Sequence, residues 1–468
     1  MASSHILCLF FCFFSVIVFT SSSSSTITVP LTPLFAKHPS SDPFQTLKVV
    51  VSASLTRAHN IKHRKSNSSS SLIKTPAYPK SYGGYSIDLK FGTPPQTMPF
   101  VLDTGSNLVW FPCTSRYVCS RCNFPNIDAT KIPKFIPKNS SSAKILGCQN
   151  PKCGWIFGSN VKSRCQDCKP DAQNCTKSCP PYMILYGLGS TLGLLLSENL
   201  DFPEKIVSDF IVGCSFISVR QPAGIAGFGR GPQSLPSQMG LNRFSYCLLS
   251  RRFDDTPESS DLILESGSSR DAKTQGLSYT PFHKNPAVNN PAFREYYYLT
   301  LRKVIVGKQR VKIPYKFLVP DSDGNGGFIV DSGSTSTFME KPIFDLVAQE
   351  FEKQMANYTR AKDVEAQSGL RPCYDIPAKK SESLSFPELT FQFKGGAKMQ
   401  LPSTNYIALV GKDAVVCLTI VTDNVVAPAT NGGPAIILGS FQQQNFYVEY
   451  DLENERFGFR PQNCKKTV

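Results

Sequence analysis

The sequence predicts a mainly β protein built of two related lobes, and three observations predict it. A chain of 468 residues is longer than one ordinary core requires. Its 31 glycines and 35 prolines, against 7 methionines, favour short strands and tight turns over helical bundles. An apolar strand running into an aspartate occurs twice, as Phe100-Val101-Leu102-Asp103-Thr104-Gly105-Ser106 and as Phe328-Ile329-Val330-Asp331-Ser332-Gly333-Ser334. With 41% hydrophobic and 18% charged residues, the chain is neither a highly charged disordered segment nor a multi-span membrane protein.

At the N-terminus, Ile6 to Phe19 form an apolar run of about 14 residues, followed by Thr20 and the serines Ser21 to Ser25. That length suits a secretory signal over residues 1–25 better than a spanning helix, although no Lys or Arg precedes it. A buried helix or an uncleaved anchor is the alternative. Residues 26–80 are rich in Ser, Pro and Lys, carry Lys62-His63-Arg64-Lys65, and read as a prosegment or linker. About half of the formal charge of +15 lies in this leading part, where Asp42 is the only acidic residue. The rest remains basic, but no basic run is interleaved with aromatics as a nucleic-acid site requires.

Sixteen cysteines include Cys8 and Cys12 in the leader and a cluster of eight between Cys119 and Cys179. C-x-x-C spacings at Cys119/Cys122 and Cys165/Cys168 fit zinc in a reducing compartment and disulfides after a signal peptide. The leader favours disulfides and a mature protein without free thiols. Sequons at Asn67, Asn139, Asn174 and Asn357 agree with a secreted glycoprotein. Of the five histidines, only His283 lies beyond the leading stretch. A Ser-His-Asp or Cys-His hydrolase would have to rest on it, and a His-rich metal site is excluded.

The two aspartate segments are offset by 228 residues. Each is followed by a small-apolar run closing on glycine, Ala223-Gly224-Ile225-Ala226-Gly227 in the first half and Ala435-Ile436-Ile437-Leu438-Gly439 in the second. So long a period suggests paired lobes rather than a solenoid. A pseudo-twofold arrangement brings Asp103 and Asp331 face to face. Two carboxylates that close cannot both ionise, so together they form a general acid and a general base. Such a pair can deprotonate a water and protonate a carbonyl oxygen. Gly105 and Gly333 allow tight turns whose N–H groups approach the carboxylates. Thr104 and Ser332 suit cross-lobe hydrogen bonds, and Ser106 and Ser334 suit the outer carboxylate oxygens.

From Gly84 to Cys464 the chain resembles the pepsin-like aspartic peptidases, in particular their plant nepenthesin-like branch with its cysteine-rich insertion. The resemblance rests on Phe91-Gly92-Thr93-Pro94-Pro95-Gln96, both Asp-Thr/Ser-Gly-Ser segments, Trp110, Tyr186-Gly187, Ile437-Leu438-Gly439, Tyr447-Val448-Glu449-Tyr450-Asp451 and Arg456-Phe457-Gly458-Phe459. It implies a bilobal pepsin-like aspartic protease fold, with an N-terminal lobe over 81–270 and a C-terminal lobe over 271–468. It also implies hydrolysis of polypeptide substrates at acidic pH by Asp103 and Asp331, and a removable prosegment that makes the protein a zymogen. Pepstatin-type inhibitors, a monomer without metal or other cofactor, and an extracellular, cell-wall or vacuolar location follow in the same way.

In that family a hairpin flap closes over the substrate. Tyr186 resembles the flap tyrosine, and Trp110, seven residues after Asp103, its hydrogen-bond partner. Where relatives carry an aspartate in the flap, this chain has Leu188 between Gly187 and Gly189. The resemblance also pairs Cys373 with Cys417 and Cys247 with Cys464. Members of this fold that act as glycanase inhibitors or binding proteins typically lose a catalytic motif, and both motifs are intact here.

Local patterns agree with the β reading. Tyr85, Ile87, Leu89 and Phe91 alternate with polar residues ahead of a Gly-Thr-Pro-Pro turn. One amphipathic helix is expected over Ile343 to Met355, opened by Pro342, with Phe344, Val347, Phe351 and Met355 on its buried face.

Overall fold

The computed structural model describes residues 25–33, 51, 54–55, 57–58, 84–122, 128–165, 168, 175, 177–186, 189–203, 205–250, 259–267, 273–287, 291–376, 386–410, 415–423 and 432–465. The leader before Ser25 and the basic run at 62–65 lie outside the described residues.

The alternating segment forms the strand Tyr85–Phe91, with its apolar positions buried and its polar ones turned outward. It pairs antiparallel with Gln96–Asp103, the strand that delivers the first aspartate. Phe91 lies at the centre of this lobe's core, with its ring 5.7 Å from Phe100, 5.4 Å from Phe111 and 5.7 Å from Phe210. Gln96–Asp103 runs parallel to Gly224–Gly227, so Asp103 stands opposite Gly227, while Trp110 pairs with Ile225 from the other side.

The second half repeats this arrangement. Phe328–Val330 runs parallel to Ile436–Leu438, Phe338 pairs with Ile437, and Tyr297–Leu299 flanks the aspartate strand as Tyr85–Phe91 does in the first lobe. Trp110 and Phe338 occupy matching places, each seven residues beyond its aspartate. The two small-apolar runs are therefore the parallel neighbours of the aspartate strands.

Their closing glycines are required by backbone contact. A Cβ on Gly227 would meet the main chain of Asn107, and one on Gly439 would lie 2.5 Å from the carbonyl carbon of Ser336. Backbone cannot yield as a flexible side chain can, so Gly439→Ala is expected to lower stability by about 3 kcal/mol, read as a fall in the thermal midpoint.

A third set of strands joins the lobes. Ser278–Pro281, Arg456–Pro461, Phe446–Asp451, Arg243–Cys247 and Ser260–Ser266 lie side by side, all antiparallel. The strand Ser25–Pro33 continues this sheet. It runs along Ser260–Ser266 from Ser25↔Ser266 to Leu31↔Ser260 and reaches Tyr85 and Ser86 with its last two residues. Part of the expected prosegment is thus a structural strand between the lobes.

The expected amphipathic helix spans Lys341–Gln354, opens with Pro342 and buries Ile343, Phe344, Val347, Ala348 and Phe351. It begins two residues earlier than the apolar pattern, because Lys341 closes its first turn with a salt bridge to Asp345 at 2.5 Å.

The fourteen cysteines beyond the leader pair as Cys113–Cys214, Cys119–Cys122, Cys148–Cys165, Cys153–Cys179, Cys168–Cys175, Cys247–Cys464 and Cys373–Cys417. One C-x-x-C closes on itself, whereas Cys165 and Cys168 take different partners. Cys247–Cys464 spans 217 residues and ties the inter-lobe sheet to the C-terminus, the kind of long loop whose closure restricts the unfolded chain most. Among the described residues no group of His, Cys, Asp or Glu is arranged to hold a metal, and no helix is long and apolar enough to cross a membrane.

Candidate active site

Both aspartates sit at the ends of buried strands, and their side chains are fully enclosed. Each carboxylate is held the same way by its own turn. Ser106 Oγ donates to Asp103 Oδ2 at 2.6 Å and Gly105 N to Asp103 Oδ1 at 3.0 Å. Ser334 Oγ donates to Asp331 Oδ2 at 2.6 Å and Gly333 N to Asp331 Oδ1 at 3.0 Å. The outer oxygens are thereby taken by serines and the inner ones face the opposite lobe. A Cβ on Gly105 would lie 2.6 Å from Asp331 Oδ1, so no larger residue fits between the two turns.

The turns are locked to each other by reciprocal bonds. Ser332 N donates to Thr104 Oγ1 at 2.9 Å, and Thr104 N donates to Ser332 Oγ at 3.1 Å. Each hydroxyl passes its own proton across the lobe boundary, Thr104 to Val330 O at 3.4 Å and Ser332 to Leu102 O at 2.9 Å. The amide and hydroxyl of Thr104 and of Ser332 thus all have partners inside the protein, which holds the two turns rigidly together.

The space between the inner oxygens is occupied by Arg57. Its Nη2 donates to Asp103 Oδ1 at 2.6 Å and to Asp331 Oδ1 at 3.0 Å, and its Nε donates to Asp331 Oδ2 at 2.7 Å. The planar fork of a guanidinium suits this bridging geometry. Arg57 is carried by a helical stretch whose Val51, Leu55 and Ala58 pack against Phe293, Tyr296, Tyr298, Ile329 and Phe338. On the same stretch, Ser54 Oγ accepts from Ser336 N at 2.7 Å, two residues beyond the dyad serine.

The carboxylates respond to this surrounding differently. Burial raises Asp103 above the usual carboxylate range, against the pull of Arg57, and the charge of Asp331 adds to the rise. Burial also acts upward on Asp331, but the charge of Arg57 and its hydrogen bonds, with those of Ser334 and Gly333, outweigh it and hold Asp331 below that range. In this state Asp331 is the ionised member and Asp103 holds a proton more readily. Burial disfavours the charge on Arg57, yet the two carboxylates overcome this and keep it cationic.

Tyr182–Tyr186 and Gly189–Phe202 form a hairpin that is tied to Trp110, the partner of Ile225 beside the first aspartate strand. Trp110 Nε1 donates to Tyr186 OH at 2.8 Å, and both rings are buried. Gly187 and Leu188, at the hairpin tip, lie outside the described residues.

Arg57, Ser54 and Asn107 are site residues that the sequence reading missed. Asn107 follows the first dyad turn, accepts from Gly231 N at 2.8 Å and donates to the Glu295 carboxylate, tying that turn to the second lobe. Val51, Leu55 and Ala58 recur at helical spacing, which signals a packed helical stretch but not an arginine in the dyad.

Family models described as xylanase inhibitor N-terminal and C-terminal match residues 85–264 and 296–461. Aspartic proteinase nepenthesin-2 of Nepenthes gracilis is 32% identical over 402 residues, covering 85% of this chain and 81% of that protein. Aspartyl protease family protein 2 of Arabidopsis thaliana is 30% identical over 444 residues, covering 92% and 81% respectively. Among solved structures, basic 7S globulin from soybean superposes with a TM-score of 0.60 at 16% identity over 95% of this chain and 99% of that one. The structure titled edgp gives 0.60 at 19% identity over 82% and 95%. These two show the bilobal β-fold alone. Sequence relatives, family models and the paired aspartate turns agree, and the chain belongs to the pepsin-like aspartic protease family, in its plant nepenthesin-like branch.

Proposed function

We propose that the protein is a secreted aspartic-type endopeptidase made as a zymogen, with Asp103 and Asp331 as its catalytic residues. The observation that carries this reading is the symmetric cradle, in which each carboxylate's outer oxygen is bound by its own serine and its inner oxygen is turned toward the other aspartate. With Arg57 withdrawn, a water fits between the inner oxygens. The ionised carboxylate takes a proton from that water as its oxygen attacks the peptide carbonyl, and the protonated carboxyl gives its proton to the carbonyl oxygen. Collapse of the tetrahedral intermediate breaks the C–N bond. The proton taken from water passes to the leaving nitrogen while a hydroxyl of the intermediate returns its proton to the other carboxylate, so the dyad again shares one proton. The hairpin carrying Tyr186, braced by Trp110, is the flap that covers the substrate.

The prosegment over 26–80 keeps the enzyme inactive, because Arg57 fills the water position and Ser54 caps Ser336 N. Its removal in an acidic compartment, cell wall or vacuole, is the route to activity. Exposed Asn139 and Asn357 suit the glycosylation expected of a secreted chain. A second reading, a glycanase inhibitor or other binding protein, draws on the name of the matching family models. The intact dyad favours the enzyme.

The test is cleavage of a denatured protein by the processed chain across about pH 3 to 7, with and without pepstatin. Acid-favoured cleavage stopped by pepstatin is expected. A folded, processed protein that cleaves nothing at any pH would instead make the cleft a binding site.

A further inference from the structure

A cavity of about 450 Å³ opens where the two lobes meet, with neither aspartate in its lining, which comprises Arg230, Phe282, Lys284, Asn285, Arg294 and Glu455, with Pro286 and Ala287 completing its wall. Arg230 comes from the loop after Gly224–Gly227 in the first lobe. Phe282 to Ala287 and Arg294 belong to the second, and Glu455 to the turn between Phe446–Asp451 and Arg456–Pro461. Its volume lies within the range of small-ligand sites, about 300 to 1,000 Å³.

Its chemistry is uneven. Arg230 is satisfied, since its Nη2 reaches Glu455 Oε1 at 2.7 Å and its guanidinium lies 5.3 Å from the centre of the Phe282 ring. Lys284 and Arg294 are exposed, and among the described residues neither is paired with a carboxylate. The cavity therefore carries two cations that no described group neutralises. Asn285 commits its Nδ2 to Tyr296 O at 2.7 Å and Phe293 O at 3.2 Å, which leaves its Oδ1 as an acceptor. Glu455, 58% exposed, is a second acceptor on the rim. Phe282, Pro286 and Ala287 supply apolar surface.

We propose that this cavity binds a hydroxylated carboxylic acid of the sugar-acid class, a uronic acid either free or within an oligosaccharide. The carboxylate is taken by Lys284 and Arg294, the hydroxyls donate to Asn285 Oδ1 and Glu455, and a C–H face of the ring rests on the apolar wall. An inorganic anion uses neither the acceptors nor the apolar wall. An aromatic acid leaves both acceptors without a donor. The sugar acid is the class that satisfies all three parts of the lining.

Isothermal titration of the full-length chain with galacturonic acid, trigalacturonic acid, maltotriose and sodium sulfate tests the assignment. The two uronates are expected to bind saturably, and added salt weakens them. Maltotriose and sulfate are expected to show no saturable binding up to about 10 mM. Lys284→Gln combined with Arg294→Gln is expected to weaken uronate binding about tenfold or more. Both residues are surface-exposed, and an unchanged melting midpoint confirms folding. A tighter trimer identifies a polysaccharide as the source, and equal affinities identify the free acid. Maltotriose or sulfate binding as well as the uronates would overturn the assignment, as would uronate binding unchanged in the double variant or absent in the wild type. Because the readout is binding, none of these outcomes depends on peptidase activity.

Discussion

Asp103→Asn and Asp331→Asn are each expected to lower turnover of the processed enzyme by about 10³- to 10⁴-fold, with the double variant little worse than either single one. Asparagine preserves the shape of the side chain and still accepts from Gly105 or Gly333, so the turns and their reciprocal Thr104–Ser332 bonds remain. It cannot carry or release the proton. A dyad that shares one proton works as a unit, and loss of either member leaves substrate positioning alone. The measurement is kcat on a fluorogenic peptide at the optimum pH, with the thermal midpoint checked beside it. Either variant retaining wild-type turnover would remove the two-carboxylate mechanism.

Arg57→Met in the full-length chain should move the onset of activity to higher pH and speed processing at least tenfold near pH 5, a shift that follows from the sign of the Asp331 perturbation. Arg57 holds Asp331 below the ordinary carboxylate value of about 3.9. The latch therefore contributes its full stabilisation above that value and loses it as pH falls from there through the lowered one. Asp103 shifts the other way, because burial raises it, and it accepts a proton without opposing the docked arginine as strongly. Methionine keeps the apolar stem but removes the three bonds to the dyad, and a buried pair broken on one side costs about 3 to 5 kcal/mol. Ser54 and the apolar residues Val51, Leu55 and Ala58 still hold the segment, so the latch is weakened rather than abolished. Activity of the full chain is followed against pH from about 3 to 7. Identical profiles for wild type and Arg57→Met would show that the arginine does not restrain the enzyme.

The strand Ser25–Pro33 adds a structural consequence to processing. It lies between Ser260–Ser266 and the start of Tyr85–Phe91, and any maturation that discards it leaves the Ser260–Ser266 edge unpaired. Loss of the prosegment is thus an event in the inter-lobe sheet as well as in the cleft.

Much of the fold and site was legible from residues that act through local rules. The twofold Asp-Thr/Ser-Gly-Ser segment, the alternation of Tyr85 to Phe91 and the helical stripe from Phe344 to Phe351 each follow from periodicity or turn chemistry within a few residues. The serines were assigned to the outer carboxylate oxygens because a hydroxyl three positions on reaches back across such a turn. The small-apolar runs could be found as a repeat, but their reason lay in parallel pairing with strands more than 100 residues away, where Gly227 and Gly439 face backbone.

By itself the sequence determined the duplication, the two carboxylates, the disulfide-rich character and the β-class, because each is written in residue type and short-range spacing. Only the tertiary structure decided the pairings within the cysteine cluster, that Asn107 reaches Glu295, and that Arg57 enters the dyad. The contacts of Asn107 and Arg57 join residues 46 to 274 positions apart, beyond the reach of local spacing. Nothing in the neighbourhood of Arg57 marks it as a partner for Asp103 and Asp331. Its place is set by a short apolar stripe docking on the second lobe and by two buried charges that need a cation between them.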